Sequence, residues 1–498
     1  MPVLDRIVRS SDHAARLSFS LFAVPFVVSL SLGGGTGVFE TADVVAEALC
    51  LPFLVGSLVR LLRRSPPKPV LLALGTAGLF LLLPLIQLAP LPPSIWTKLG
   101  GREAIASAFA LAGVETPWLG ISLFPAATWR SILALTPALA VFAGVMQLDF
   151  RQRRMAAYCL IGAGFVTAML AIIQLVQGPT GLLRVHHDNL TSIVAFFANP
   201  NHIAALLYCC ILIAVTISIA QTLGLLAQTN WRKSGFWTWR ALTPVFLFFL
   251  SCLFLFGVAL TRSRAGVAIT MASILCAVAA TLPYAGRLAL SKSVIVAGLL
   301  GAVIAGAVLN YSLYDVLQRL QGGLENESRV RIAQLSGEIL REYMPFGAGI
   351  GTFLPIYGMH ETVATALHLP INRAHNEFLE WGIEGGVSSY LLLVVAICWL
   401  AWLNAFVWIR GVGPYFSDAC LTRACAAAPA LLLVHSLVDY PFRTIALMSV
   451  GASCFSMALA AVADPDTAVE MSTSPHEPSL RMEPRSGRRR SRIPRRAA

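Results

Sequence analysis

Long apolar runs, each close to the length that crosses a bilayer, recur along this chain and leave little room for any other architecture. They fall at about 17–32, 42–61, 69–90, 128–148, 155–177, 201–222, 240–260, 265–283, 292–310, 386–409, 424–440 and 444–462. A bilayer core takes about 20 apolar helical residues, so the runs predict about twelve membrane-spanning helices in an all-α polytopic bundle. Charge agrees with this reading. Asp, Glu, Lys and Arg make up 12% of the 498 residues, and apolar types 57%, where a soluble domain carries roughly 25% charged residues. The first run follows a polar stretch bearing Arg6, Arg9 and Arg16, ends in Gly33-Gly34-Gly35 and lacks a clear small-residue cleavage pattern. It therefore reads as an uncleaved first span.

The formal net charge of +12 would point a soluble chain toward nucleic acid. Here topology accounts for it, and no nucleic-acid partner is expected. An even number of spans puts both termini on one side. If that side is the cytoplasm, 25 of the 37 lysines and arginines fall on it, as the positive-inside rule requires. The chain then divides into a cytoplasmic N-terminus (1–16), spans one to nine (17–310), a large helical periplasmic loop (311–385), spans ten to twelve (386–462) and a basic cytoplasmic tail (463–498). The tail is rich in Ser, Pro and Arg and has too little apolar content to fold; its arginines suit anionic lipid heads. The ten cysteines show no CxxC spacing and read as small apolar helix filler rather than a disulfide or metal framework. With no HExxH, acidic metal pair or Walker loop, neither a metal nor another cofactor is expected.

Polar chemistry gathers at the opposite, outer face. Seven of the nine histidines (186, 187, 202, 360, 368, 375 and 435) lie at or near it. The loop 311–385 is too long for a turn and too polar for lipid. Within it, Ser328–Met344 reads as an amphipathic helix with Ile332, Leu335, Ile339 and Leu340 on one side and Ser328 as its N-cap. Arg329 and Arg331 then occupy the first turn, where the macrodipole disfavours cations. A helix N-terminus with two guanidinium groups suits a phosphate; pairing with Glu325, Glu327 or Glu338 is the structural alternative. Arg262 and Arg264, in Thr261-Arg262-Ser263-Arg264-Ala265-Gly266, join spans seven and eight through a very short connection. Charges at that depth normally face a polar cavity or an anionic ligand, or snorkel to lipid phosphates. Gly347-Ala348-Gly349-Ile350-Gly351 breaks the chain after the amphipathic helix, and its backbone N–H groups can meet a phosphate.

His375, in Arg373-Ala374-His375-Asn376-Glu377, stands between this loop and span ten. It follows an extended segment and is expected to start the helix that becomes that span. An imidazole there is suited to take a proton from a hydroxyl. No carboxylate on its own helix face orients the ring, since Glu377, Glu380 and Glu384 line another. Asn376, next to it, is a possible supporting residue. Asn199-Pro200-Asn201-His202 opens span six, where Asn201 and His202 either cap the helix or contact substrate. Asp439 ends span eleven beside Arg443, as an ion pair or as part of a site. Asp43 and Glu47, one turn apart in span two, are similar candidates.

Taken in order, Asn-Pro-Asn-His (199–202), Ser-Arg-Ala-Gly (263–266), Arg-Val-Arg (329–331) leading to Phe-Gly-Ala-Gly-Ile-Gly (346–351), Ala-His-Asn-Glu-Phe-Leu (374–379) and His-Ser-Leu-Val-Asp-Tyr-Pro (435–441) make the chain resemble the O-antigen ligase and polymerase superfamily. The resemblance covers about 195–445. It implies a GT-C-like helical fold and a bacterial inner-membrane glycosyltransferase of surface polysaccharide or lipopolysaccharide synthesis. The implied donor is a glycan on undecaprenyl pyrophosphate, moved without a metal to a hydroxyl acceptor at the periplasmic face. His375 matches the histidine proposed as general base. Arg264, with Arg329 or Arg331, matches arginines that hold the pyrophosphate. The acceptor stays open between a glycan, a lipid A core and a protein hydroxyl. Two other readings compete: a flippase for lipid-linked glycans, against which the one large outer loop speaks because transporters usually show two similar halves, and a histidine-rich outer-face sensor or assembly factor without catalysis.

Overall fold

The computed structural model describes residues 2–37, 40–178, 181–183, 193–226, 239–285, 324–362 and 371–464. Among these the chain is all-helical. Its elements are α1 (Pro2–Leu32), α2 (Thr41–Leu62), α3 (Lys68–Leu88), the short α4 (Pro93–Trp96) and α5 (Glu103–Leu111), α6 (Pro125–Leu133), α7 (Leu135–Val145), α8 (Phe150–Gln177), α9 (Pro200–Leu226), α10 (Trp239–Thr261), α11 (Arg264–Ala285), α12 (Leu324–Tyr343), α13 (Phe353–His360), α14 (Glu377–Arg410), α15 (Phe416–His435) and α16 (Ile445–Ala463). Eleven stretches among the described residues are long and apolar enough to cross a membrane, with α6 and α7 together forming one of them. The chain is a polytopic helical membrane bundle. The expected span at 292–310, the basic tail, and His186, His187 and His368 lie outside the described residues.

Helix α9 is the centre of the bundle. It is apolar on every side, as a helix buried all round must be, and packs against α8, α10, α11 and α15. Spans α3 and α14 are at the other extreme, with 17% and 11% of their apolar windows buried, and so form the lipid-facing outside. Local signals set several boundaries. Asp149 accepts the Gln152 N–H at 2.8 Å, and Gln152 accepts the Asp149 N–H at 3.2 Å, a capping box that starts α8. Asn376 caps α14 through the N–H groups of Phe378 and Leu379.

The described part of the large loop folds onto one end of the bundle. Ile332, Leu335, Ile339 and Leu340 do form the packed face of α12, against Phe353, Ile356 and Ile383. The helix begins at Leu324, however, four residues before the expected cap. Ser328 therefore lies inside it, and Arg329 and Arg331 sit beyond the first turn, away from the free N–H groups on which a phosphate site there would depend. Gly347, Gly349 and Gly351 all take positive φ (78°, 115° and 83°), so this turn needs glycine. The first four of its five N–H groups are already used: Gly347 donates to Tyr343 O at 2.8 Å, Ala348 to Ile383 O at 2.8 Å, Gly349 to Glu384 O at 2.9 Å and Ile350 to Gln87 Oε1 at 2.9 Å. The turn is a structural seam, not a phosphate cradle.

Helix α14 bends at Gly386, whose φ is 58°. A Cβ there would collide with the Pro345 carbonyl. Gly386→Ala is expected to lower thermal stability by at least the ~1–2 kcal/mol that a side chain costs in this conformation. A drop in melting temperature checks this; an unchanged melting temperature would show that the bend relaxes freely.

Candidate active site

Four chain segments meet at one end of the bundle: the turn after α1, the entry to α9, the approach to α14 and the stretch between α15 and α16. Backbone bonds knit them. Ala198 N–H donates to Gly34 O at 3.0 Å, Ala446 N–H to Gly33 O at 2.9 Å and Glu377 N–H to Ser436 O at 3.0 Å.

His375 sits two residues before α14 with a φ of +52°, a left-handed conformation that is uncommon for a residue with a Cβ. Such strain persists only where the surroundings fix it, and it gathers at functional sites. The bend turns the imidazole away from the α14 helix face expected for it and toward Asp439, 64 positions later. His375 Nδ1–H donates to Asp439 Oδ1 at 3.1 Å. Asp439 is fully buried, while the His375 side chain keeps 24% of its exposure. A carboxylate can only accept, so in the neutral ring this bond fixes the tautomer with the lone pair on Nε2.

The Asp439 carboxylate is the hub of the cluster. Asn199 Nδ2 donates to it at 3.2 Å and to the Tyr440 hydroxyl at 3.3 Å. His202 Nε2 lies 3.7 Å from Oδ2, beyond hydrogen-bond range but close enough for charge to act. Burial alone would raise the Asp439 pKa; the His375 hydrogen bond and the neighbouring histidines outweigh it and hold the group well below the usual carboxylate range. The Tyr440 ring lies between the two imidazoles, with centroids 5.2 Å from His375 and 4.9 Å from His202. Its hydroxyl also accepts from Asn372 Nδ2 at 3.4 Å.

Buried ion pairs hold this arrangement. Glu377, Glu380 and Glu384 share one face of α14 at helical spacing, and that face is buried. Glu380 accepts from Ala374 N–H at 2.8 Å and from Arg373 Nη1 at 3.3 Å, and lies 3.4 Å from Arg443 Nε. Glu384 pairs with Arg443 Nη1 at 2.8 Å, and Glu377 accepts the Phe442 N–H at 2.6 Å. Burial would lower the Arg443 pKa; Glu384, Glu380 and Glu377 reverse that and raise it. Arg443 therefore belongs to the α14 carboxylates, and the expected Asp439–Arg443 pair gives way to Asp439–His375.

The other sequence candidates occupy these positions. Asn376 spends its side chain on the α14 cap, and the Asn201 N–H is taken by Asn199 Oδ1 at 2.9 Å. Gly266 lies against Ala204, so tightly that a Cβ would come within 2.5 Å of the Ala204 Cβ. The first turn of α11, with Arg264, thus abuts the first turn of α9, with His202. Arg262 precedes it with a φ of +55°. Arg329 and Arg331 are exposed on α12. In span two, Glu47 pairs with Arg130 at 2.6 Å. Asn199, Asn372 and Tyr440 were not singled out from sequence, although two of them stand inside motifs that were.

The chain matches a family over the stretch that carries His375, the α14 glutamates and arginines 262, 264, 329 and 331, while Asn199, His202, Asp439 and Tyr440 lie outside it. Residues 246–394, from α10 to the middle of α14, match the family model described as O-antigen ligase. The match supports the O-antigen ligase and polymerase superfamily for this chain. A comparison with curated proteins finds no significant match.

Proposed function

We propose that this multi-pass membrane protein, whose family match indicates an O-antigen ligase- or polymerase-like function, transfers a glycan from undecaprenyl pyrophosphate to a hydroxyl acceptor at the periplasmic face of the bacterial inner membrane. His375 is the general base. Its Nε2 takes the acceptor hydroxyl proton as the oxygen attacks the anomeric carbon and the bond to the diphosphate breaks. Asp439 holds the ring in the required tautomer and stabilises the imidazolium that forms, the role of the carboxylate in a Ser-His-Asp triad. Arg264 and Arg262, with Arg329 and Arg331, hold the diphosphate and stabilise the charge that develops on it. Guanidinium groups supply the positive charge, so the mechanism asks for no metal.

The observation that carries this reading is the 3.1 Å bond between a partly exposed imidazole and a fully buried carboxylate. The test is purified protein in nanodiscs with an undecaprenyl-pyrophosphate glycan and a panel of hydroxyl acceptors. Glycan appearing on an acceptor, with release of the carrier diphosphate and no loss on adding a chelator, is the expected result. A change in donor sidedness without any transfer would replace this reading by a flippase.

A further inference from the structure

Helix α5 (Glu103–Leu111) is apolar on every side, yet none of its residues is buried in the protein. From Ala104 to Val114 the chain carries no charge, and Ser107 is the single polar side chain. Leu111, at the end of the helix, keeps 89% of its exposure, and Val114 keeps 57%. A helix without a polar face needs apolar surroundings, and the described residues leave this one uncovered. A partner protein docked on it would cover one side. The hydrocarbon of a bilayer covers all of them.

The root of the segment lies at the level where the neighbouring spans end. Span α3 closes at Leu88, and Ser122, just before α6, donates its N–H to Gln87 O at 2.9 Å. Leu91 and Leu119 exchange both backbone bonds, at 2.9 and 3.2 Å. Trp118, next to that pair, is exposed, in the position that interfacial tryptophans take at the ends of spans. Trp96 is buried beneath, and its Nε1–H donates to Pro117 O at 2.9 Å. Glu103 and Glu115 are both exposed. They flank the apolar stretch and confine charge to its two ends, where headgroups and water can solvate it.

The far end is closed in the way that lipid demands. Backbone groups in a bilayer must be satisfied internally. Gly113 takes a φ of +64°, the Val114 N–H donates to Phe109 O at 3.2 Å and the Gly113 N–H to Ala110 O at 3.2 Å. This is the Schellman pattern, which satisfies the last carbonyls of a helix. A Cβ on Gly113 would meet nothing within 4 Å, so the tip stands clear of the rest of the described chain.

We infer that α5 and the turn after it insert into the leaflet at the His375 end of the bundle, as far as the boundary between headgroups and acyl chains. The 9 residues of α5 are too few to cross, which takes about 20, so the segment is an interfacial anchor. Its root carries the contact inward. Arg102, 1% exposed, donates to Gly100 O at 2.6 Å, Ile121 O at 2.5 Å and Gly347 O at 2.8 Å. Gly347 opens the turn whose Ala348 and Gly349 bond to Ile383 and Glu384 of α14. The anchor thereby fixes the height of this end, with His375, above the lipid. None of this depends on the transfer proposed above.

The experiment is photo-crosslinking of the full-length protein in vesicles of phosphatidylethanolamine and phosphatidylglycerol. Wild-type protein is irradiated with a phospholipid that carries a diazirine in the upper acyl chain, and labelled peptides are mapped. Labelling of 103–118 together with α3 and α14 is expected; labelling of α3 and α14 alone would overturn the anchor. In a second arm a benzophenone amino acid replaces Leu111 or, for comparison, Gln334, which is exposed on α12. Phospholipid adducts at 111 are expected to exceed those at 334 at least about tenfold, the partition that burial of one large apolar side chain supports. Equal yields at the two positions, or a crosslink from 111 to another copy of the chain in place of lipid, would contradict the assignment. The first arm needs no substitution, so it reads the anchor even if a benzophenone variant fails to fold.

Discussion

Replacing His375 by asparagine is expected to slow glycan transfer by about 10²–10⁴-fold, the usual contribution of a positioned general base, with donor binding unchanged. Asparagine is the informative substitution. It is among the few residues with a side chain that enter the left-handed region readily, so the +52° backbone at this position survives. Its amide lacks a basic nitrogen. The arginines proposed to hold the diphosphate lie on other elements and keep their geometry. Initial rates at saturating donor, with donor affinity measured alongside, check this. A wild-type rate in the variant would remove His375 from the chemistry.

Asp439→Asn is expected to cost a loss of the same order, about 10²–10⁴-fold, although residue 439 is too deeply buried to reach a substrate. The amide can turn its NH₂ toward His375 Nδ1. That ring nitrogen then accepts instead of donating, the proton moves to Nε2, and the base has nothing left to take the acceptor proton with. The native carboxylate is held well below its ordinary pKa. A depressed carboxylate contributes stability that is present at neutral pH and is lost only as pH falls through the folded-state value. Asp439 thus stays ionised across the working range, and an acid limb in the rate profile belongs to another group. Rates for the variant across neutral pH, beside thermal unfolding to confirm the fold, test the assignment. Full activity in a well-folded variant would reduce Asp439 to packing.

The bundle was legible because hydrophobic runs report directly on the bilayer. The α12 face of Ile332, Leu335, Ile339 and Leu340 was legible for the same reason, since helical periodicity is a local property. The wiring of the polar end was less so. His375 was readable as a proton acceptor from its place at the edge of a span, yet its carboxylate partner was not. The positive φ at 375 breaks the helical register that would have put Leu379 and Gly382 beside it, and Asp439 arrives from a different connection. The three α14 glutamates looked like a separate polar face. They are buried and hold Arg373, Arg443 and the backbone of residues 374 and 442, so the charge beside Asp439 in sequence is not its partner in space. Arg329 and Arg331 were placed in a helix's first turn because Ser328 resembles a cap; the helix starts a turn earlier. Asn199 and Tyr440 complete the hub through contacts across about 240 positions, which one sequence cannot pair.

The central claim is that His375 and Asp439 act as one unit in moving the acceptor proton, and a double-mutant cycle tests it most directly. Transfer rates are measured for wild type, His375→Asn, Asp439→Asn and the double variant. Residues that work as a unit are strongly non-additive, so the double variant is predicted to be no slower than His375→Asn alone. A double variant slowed by the product of the two single effects would contradict the account.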